Sequence, residues 1–319
     1  MIPGTAVWFA RHESRLAWRD WLSMITAGRR ERLRRVVIAI LVFAIFMHFV
    51  AYWMVGRYAD APIDKPVLVS ITASVLLSWF LMISQAMESM TRAFYARSDL
   101  DLILASPVAA QRLFAVRIAT VGVSVAAMAI PLAAPFIDIL VVRGGLRWMG
   151  AYGLIVAMGA AAAALAVGFT VALFRIIGPR RTRLVAQVVA AVIGAAFVIG
   201  LQVAAILSYG TISRVSVLQS SAVLTHAPDF GSIVWWPARA AMGDWISLIG
   251  VLAVSFALLV AAIALVSPRF GEYATAAAGA AASSVSQSGG QSAFKKTSPR
   301  RSSIFWSCAA ACAGWAPTG

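Results

Sequence analysis

Charged residues are scarce in this chain. Asp, Glu, Lys and Arg make up only 12% of the 319 residues, whereas 61% of the residues are hydrophobic. A typical soluble domain carries about 25% charged residues. The polar residues present here are too few to coat a water-facing fold, so the composition excludes a soluble globular domain.

The residue types that carry catalysis or bind metals are also scarce. The cysteines are Cys308 and Cys312, and the histidines are His12, His48 and His226. Two thiols do not make a zinc site, and no HExxH, paired CxxC, GxSxG or GxxxxGK[ST] sequence occurs. We therefore predict no catalytic residues, no metal site and no phosphate loop for ATP in this chain.

The formal net charge of +15 would fit a protein that binds nucleic acid. The basic residues, however, lie in short clusters at the ends of apolar blocks, which is how topology signals are distributed in membrane proteins. We therefore predict that the chain meets a lipid bilayer and no nucleic acid.

Six apolar blocks are long enough to cross a bilayer, which takes about 18 or more apolar residues. In lipid each segment must satisfy its own backbone polar groups, so these blocks predict helices. The expected fold is an all-α, polytopic membrane helix bundle in residues 36–266. The blocks cover residues 36–55, 67–87, 118–142, 149–177, 184–208 and 246–266.

Basic residues are unevenly divided among the segments that join these blocks. Four or more lie before the first block, between the second and third, around the junction of the fourth and fifth (with Arg175 at the end of the fourth block included), and after the sixth, whereas each other connection holds two. Lys and Arg concentrate in cytoplasmic segments. Both chain ends are therefore predicted in the cytoplasm. Residues 1–35 are polar and basic, so no cleavable signal peptide is predicted.

Polar residues inside the apolar blocks are few. His48, Asp138 and Gln202 are candidates for a translocation pathway, because polar groups within a membrane are costly and often functional. Alternatively, His48 hydrogen-bonds a neighbouring helix and Asp138 reaches interfacial water. Pro131 and Pro135 are expected to kink or interrupt the third block.

Small residues at four-residue spacing occur in two blocks and favour close helix contacts. The positions are Ala160, Ala164 and Gly168 in the fourth block, and Ala190 and Gly194 in the fifth. Before the sixth block, Trp235 and Trp236 are expected to anchor the chain at the membrane interface or to cap a short re-entrant or surface helix.

Residues 6–28 read AVWFARHESRLAWRDWLSMITAG and predict an interfacial amphipathic helix. Its apolar side chains follow i, i+3, i+4, i+7 spacing, while Arg15 and Arg19 lie off this stripe. The stripe consists of Trp18, Trp21, Leu22 and Ile25. The alternative is a basic flank that only sets topology.

Residues 88–117 read ESMTRAFYARSDLDLILASPVAAQRLFAVR and are too polar to span a membrane. Ser106 and Pro107 form a helix-start signal. We therefore predict a helix that ends near Ala105 and a second helix that runs into the third block. The first helix carries an apolar run that should contact a partner. That run is Leu100, Leu102, Ile103 and Leu104.

This segment resembles a stretch of the ABC-2 type transporter permeases, which carry E…G-x-L-[ED]-L-L-L-x-[ST]-P-[VL]-x-x-x-x-[LI]…[RK] after their second transmembrane helix. Ser98 stands where glycine is usual. The matching residues are Glu88, Asp99, Leu100, Asp101, Leu102, Ile103, Leu104, Ser106, Pro107, Leu113 and Arg117. WFARHESRLAWRDW is similar to the amino-terminal elbow helix of such permeases, and WWPARAAMGDW to an outer-loop motif of a bacterial subgroup.

The resemblance implies the permease subunit of an ATP-driven exporter in a bacterial inner membrane. A separate ATPase subunit would bind ATP and Mg²⁺, and residues 88–117, Arg112 included, would couple to it. A second copy or a second permease half would complete the membrane domain. The alternatives are a membrane-embedded enzyme, which needs clustered ionisable residues at one face, and a non-transporting anchor or regulatory protein.

Residues 267–319 are expected to form a flexible cytoplasmic tail, since residues 271–292 are rich in Ala, Ser and Gly. The character of the sequence changes near residue 296. We expect a truncated product with a shifted reading frame, corresponding to the first half of a larger permease. The alternative is a genuine short tail on a half-size permease that dimerises.

Reporter fusions test the orientation. A reporter that is active only outside the cytoplasm should work when fused within residues 57–66, 143–148 or 209–245. Fusions near residue 180 or 285 should be inactive, because arginine-rich segments stay in the cytoplasm. Activity from either of the latter fusions would contradict the six-helix topology.

Overall fold

The computed structural model describes residues 30–95, 110–209 and 227–269, together with Arg11, Arg15, Arg19 and Thr225. Within these ranges the regular elements are helical. The α-helices are α1 (Arg30–Val55), α2 (Lys65–Tyr95), α3 (Ala110–Gly144), α4 (Gly150–Ile177), α5 (Pro179–Tyr209), α6 (Trp236–Ala241) and α7 (Trp245–Val266). Short 3-10 turns lie at Gly56–Tyr58, Leu146–Met149, Ile233–Trp235 and Ser267–Arg269.

Five helical stretches among the described residues are long and apolar enough to cross a membrane. They are Leu33–Val55, Lys65–Arg92, Phe114–Gly144, Leu146–Ile177 and Trp245–Val266. The predicted all-α, multi-pass membrane bundle is confirmed at this level. The sixth predicted span coincides with α5, whose described side chains form a shorter apolar stretch, Leu184–Ala196. That sixth crossing stays a prediction.

The central element of the bundle is α4. Its most apolar stretch is 72% buried, compared with 6–22% in the other four spanning stretches. Helices α2, α3, α5 and α7 all pack against it. Ala162, Ala163 and Ala166 are fully buried on its surface. Because small residues let helix backbones approach closely, van der Waals contact along α4 can hold the bundle together in lipid.

A close helix crossing joins α3 to α4. A Cβ atom added at Gly159 would lie 2.8 Å from the carbonyl oxygen of Gly122 and 2.9 Å from the Cβ of Ala126. Ala160 and Ala164 are buried, as their spacing predicted. The third predicted small residue, Gly168, makes no close helix contact, because a Cβ atom added there would meet nothing within 4 Å.

A second small-residue contact joins α5 to α2. The hydroxyl of Ser84 donates a hydrogen bond of 2.6 Å to the carbonyl oxygen of Ala190. A Cβ atom added at Gly194 would lie 3.3 Å from the same Ser84 oxygen. The predicted close contact at Ala190 and Gly194 is therefore present.

One expectation about the third block needs correction, and one about the segment after the second block is tested in part. The third block is not interrupted, because α3 continues through Pro131 and Pro135. Each proline removes one N–H donor, and neighbouring elements accommodate such losses in membrane helices. The helix that was predicted after residue 88 is present to Tyr95 as a continuation of α2, and its predicted end near Ala105 lies outside the described residues. Arg92 and Glu88 form an exposed i, i+4 ion pair of 3.3 Å in this extension, which favours helix outside lipid.

Alanine substitutions at two glycines of α4 test the close crossing. Gly159→Ala should lower the melting temperature in detergent, because overpacking of a tight contact costs about 1–3 kcal/mol. Gly168→Ala is the matched control, since it adds the same atom to open space in the same helix. It should leave the melting temperature unchanged or raised, because alanine is the better helix former. Equal melting temperatures for the two variants would contradict this packing.

Candidate functional site

Three connections meet at one end of the bundle, which we call the loop face: residues 56–64, 145–149 and 227–244. The indole Nε1 of Trp148 donates a hydrogen bond of 3.0 Å to the carbonyl oxygen of Ala59. The guanidinium of Arg147 donates to the same oxygen at 2.5 Å. Gly243 has a φ of +98° and lies against the backbone of Arg147, where a Cβ atom would collide. Side-chain donors on one carbonyl oxygen and one close backbone approach therefore hold the three connections together.

The residues before α7 form a compact cap on the loop face. Trp235 is buried and its Nε1 donates a hydrogen bond of 3.1 Å to the carbonyl oxygen of Asp229. The predicted short helix is present as α6. Of the two predicted roles, the capping of this helix fits Trp235, which is its N-cap residue. The ring of Trp235 is buried in a cluster with Leu68 and Trp148.

Asp244 is the last residue of this compact cap and immediately precedes α7. Its carboxylate accepts hydrogen bonds from the backbone N–H groups of Ile246 and Ser247. The hydroxyl of Ser247 also donates to it, at 2.6 Å. The Ser247 side chain is the main cause that lowers the pKa of Asp244, and the backbone donors and Arg239 act in the same direction. The charged carboxylate is thus suited to the amino end of the helix.

A polar cluster lies inside the apolar region next to the loop face and joins three helices. The Nε2 atom of His48 in α1 lies 3.3 Å from Oδ2 of Asp138 in α3. The hydroxyl of Tyr152 in α4 donates a hydrogen bond of 2.6 Å to Oδ1 of Asp138. The Nδ1–H of His48 donates to the carbonyl oxygen of Ala44, one turn earlier in α1, at 2.7 Å. We call His48, Asp138 and Tyr152 the polar cluster.

The polar cluster is half-exposed and lies where α1 packs on the rest of the bundle. The side chains of His48 and Asp138 are 39% and 46% exposed. One turn towards the loop face, the guanidinium of Arg143 in α3 lies over the ring of Tyr52 in α1, 5.3 Å from its centroid. Ionisable groups at membrane depth are functional candidates by default, and this cluster is the candidate site.

The structure brings together two of the three predicted pathway residues. His48 and Asp138 are in contact, while Gln202 lies in α5 and its side chain is outside the described residues. Sequence reasoning missed Tyr152. Asp138 and Tyr152 stand equally far from Gly145, at which the chain turns between α3 and α4. Because α3 and α4 run antiparallel, residues at equal distances from the turn lie at the same depth. This was the sequence signal from which the contact of Tyr152 with Asp138 could have been predicted.

The opposite end of the bundle, which we call the arginine-rich face, holds the segment predicted to couple to an ATPase. Met90 near the end of α2 and Phe114 and Ile118 near the start of α3 are almost completely buried. Arg117 is half-buried. The remaining coupling residues Asp99, Leu100, Asp101, Leu102, Ile103, Leu104, Ser106, Pro107 and the Arg112 side chain lie outside the described residues, as do Trp18, Trp21, Leu22 and Ile25.

Comparisons of the chain with models of protein families, with curated proteins and with solved structures found no match. Within the described ranges, no three His, Cys, Asp or Glu side chains are grouped closely enough to hold a metal ion. The residues of the polar cluster offer hydrogen-bonding and proton-exchanging chemistry.

Removal of the Tyr152 hydroxyl tests the polar cluster. Tyr152→Phe should lower the melting temperature in detergent, because a hydrogen bond between membrane helices contributes about 0.6 kcal/mol on average and up to about 1.7. Tyr52→Phe is the matched control, since Tyr52 contacts Arg143 through its ring, which this change retains. A Tyr152→Phe melting temperature no lower than that of Tyr52→Phe would contradict the hydrogen bond.

Proposed function

We propose that this chain is the permease subunit of an ATP-driven exporter of the ABC-2 type. The observation that carries the proposal lies in residues 88–95 and 110–117, the described parts of the predicted coupling segment. They are the ends of two long helices at the arginine-rich face, and Met90 and Phe114 are buried there in one apolar cluster. An ATPase bound at this segment would act on the ends of α2 and α3.

The length of these two helices supports mechanical coupling. α2 has 31 residues and α3 has 35. At 1.5 Å per residue they extend about 46 Å and about 52 Å, which exceeds the hydrocarbon thickness of about 30 Å. Both helices are therefore long enough to extend beyond the hydrocarbon region. Because Met90 and Phe114 are buried where the spanning stretches of α2 and α3 end and begin, displacement of the connecting segment would be transmitted along the helices.

The surface of α1 supports a partner within the bilayer. Phe46, Phe49 and Trp53 are all more than half exposed, although α1 packs mainly on α3. Lipid, a second copy of the chain or a second permease half would cover this surface. In this proposal ATP and Mg²⁺ are bound by the partner ATPase, since the chain has no phosphate loop of its own.

The orientation completes the proposal. The arginine-rich face is cytoplasmic in a bacterial inner membrane, with both chain ends on that side, because Lys and Arg concentrate in cytoplasmic segments. The polar cluster then lies in the outer half of the membrane. It contains the candidate pathway residues His48 and Asp138.

Purification of the tagged chain from its native membranes tests the proposal. The sample should hydrolyse Mg-ATP through a co-purified ATPase. Asp99→Lys combined with Asp101→Lys should lower this activity about tenfold or more, because reversing two charges at a docking site costs well over 1.4 kcal/mol. The measurement is phosphate release per mole of tagged chain.

The control carries the same change of charge at the loop face. Asp60→Lys combined with Asp229→Lys replaces two exposed carboxylates and should retain the ATPase activity. Equal losses in both double variants would contradict a docking role for the segment. Absence of ATPase activity from the unaltered chain would contradict the exporter function and favour a membrane-embedded enzyme or an anchor.

A further inference from the structure

The imidazole of His48 is held in one orientation by its own helix. The Nδ1 atom lies 2.7 Å from the carbonyl oxygen of Ala44. A carbonyl oxygen only accepts hydrogen bonds, so Nδ1 must carry a proton in every state in which this contact exists. The variable atom is Nε2, which points at Asp138.

The contact between His48 and Asp138 requires a proton. A bare Nε2 and a carboxylate oxygen are both acceptors, and two acceptors 3.3 Å apart repel each other. The contact is favourable if the pair is an imidazolium and a carboxylate, or if it is an imidazole and a carboxylic acid. Both forms contain one proton more than the neutral imidazole and the free carboxylate. The geometry therefore describes a site for one proton.

The other polar groups of the cluster favour the charged pair. The Tyr152 hydroxyl donates to Oδ1 of Asp138, which stabilises a carboxylate. Around this pair, Tyr52 and Arg143 contact each other across α1 and α3. Arg147, in the turn after α3, donates to the carbonyl oxygens of Ala59 and Ala61. The shared proton is accordingly placed on Nε2 of His48.

The pair matters for packing because α1 is held by few other contacts. Only 6% of its apolar stretch is buried, and its main packing partner is α3. Loss of the Nε2 proton to solvent, while Nδ1 still donates to Ala44, would turn an attraction between α1 and α3 into a repulsion in a medium of low dielectric constant, where charge interactions are strong. Protonation thus decides whether α1 is attached at this depth.

We propose that His48 Nε2 and Asp138 Oδ2 form a single-proton binding site that attaches α1 to α3 and α4, and that release of the proton frees α1. The site makes the packing of α1 sensitive to pH on the loop-face side. This property is additional to the exporter function proposed above and does not depend on it.

Electron paramagnetic resonance distances in lipid nanodiscs test the attachment of α1. Spin labels at Trp53→Cys and Ile249→Cys, in a Cys308→Ser and Cys312→Ser background, report the distance from α1 to α7. The distribution should be narrow at about pH 5 and longer and broader at about pH 9, on either side of the usual histidine pKa. A control pair of labels, at Leu76→Cys in α2 and Ile249→Cys in α7, does not include α1. It should report the same distance at both pH values.

Two substitutions replace the proton-dependent contact by one that does not titrate. In His48→Gln the side-chain amide donates to the Asp138 carboxylate at any pH, and in Asp138→Asn the amide donates to a neutral His48. Both variants should keep the narrow distribution at about pH 9. Asp138→Asn also serves where His48→Gln fails to fold. An unchanged native distribution between the two pH values, or a native pH response in either variant, would overturn the proposal.

Nitrogen-15 spectra of labelled histidine report the proton itself. His12→Gln and His226→Gln leave His48 as the only histidine in the chain. Both Nδ1 and Nε2 should carry a proton at about pH 5, because one faces the carbonyl oxygen of Ala44 and the other faces the carboxylate of Asp138. A bare Nε2 at that pH would overturn the site.

Discussion

Close approach of helix backbones along α4 is the constraint on which the rest of the bundle depends. Lipid provides no hydrophobic drive for helices to associate, so contacts between backbones must hold them. Alanine and glycine on α4 allow α2, α3, α5 and α7 to reach it. At Gly159 even one additional carbon would collide with α3, so this crossing permits one register of the two helices.

Helix α1 contrasts with this core, because polar groups rather than backbone contacts join it to its neighbours. Its connection to α2 is held by the donors of Arg147 and Trp148 on the carbonyl oxygen of Ala59. Deeper in the membrane it meets α3 through His48 and Asp138. The core is held by the fit of small residues, whereas α1 is held by polar contacts. A change in the charge of the ionisable groups can therefore alter the packing of α1 without disturbing the rest of the bundle.

Sequence reasoning recovered the helices and two members of the polar cluster, and its errors have physical causes. The six-block pattern matched helical stretches because apolar length alone decides whether a segment can cross a membrane. Pro135 did not interrupt α3, since the surrounding bundle overrides a local preference. Trp235 was expected either at the membrane interface or as the cap of a short helix, and the structure places it at the start of α6 with its ring in a buried cluster that includes Trp148. The segment 96–109, including most of the predicted coupling residues, lies outside the described residues.

The sequence by itself determined that this chain crosses a membrane as helices, because long apolar blocks leave the backbone no other way to satisfy its polar groups in lipid. Only the tertiary structure decided that His48, Asp138 and Tyr152 meet. Each residue turns the helix by about 100°, so the direction of a side chain depends on how its helix is rotated against its neighbours. That rotation is set by small-residue contacts such as Gly122 with Gly159, which are distant in the chain from the groups that they align.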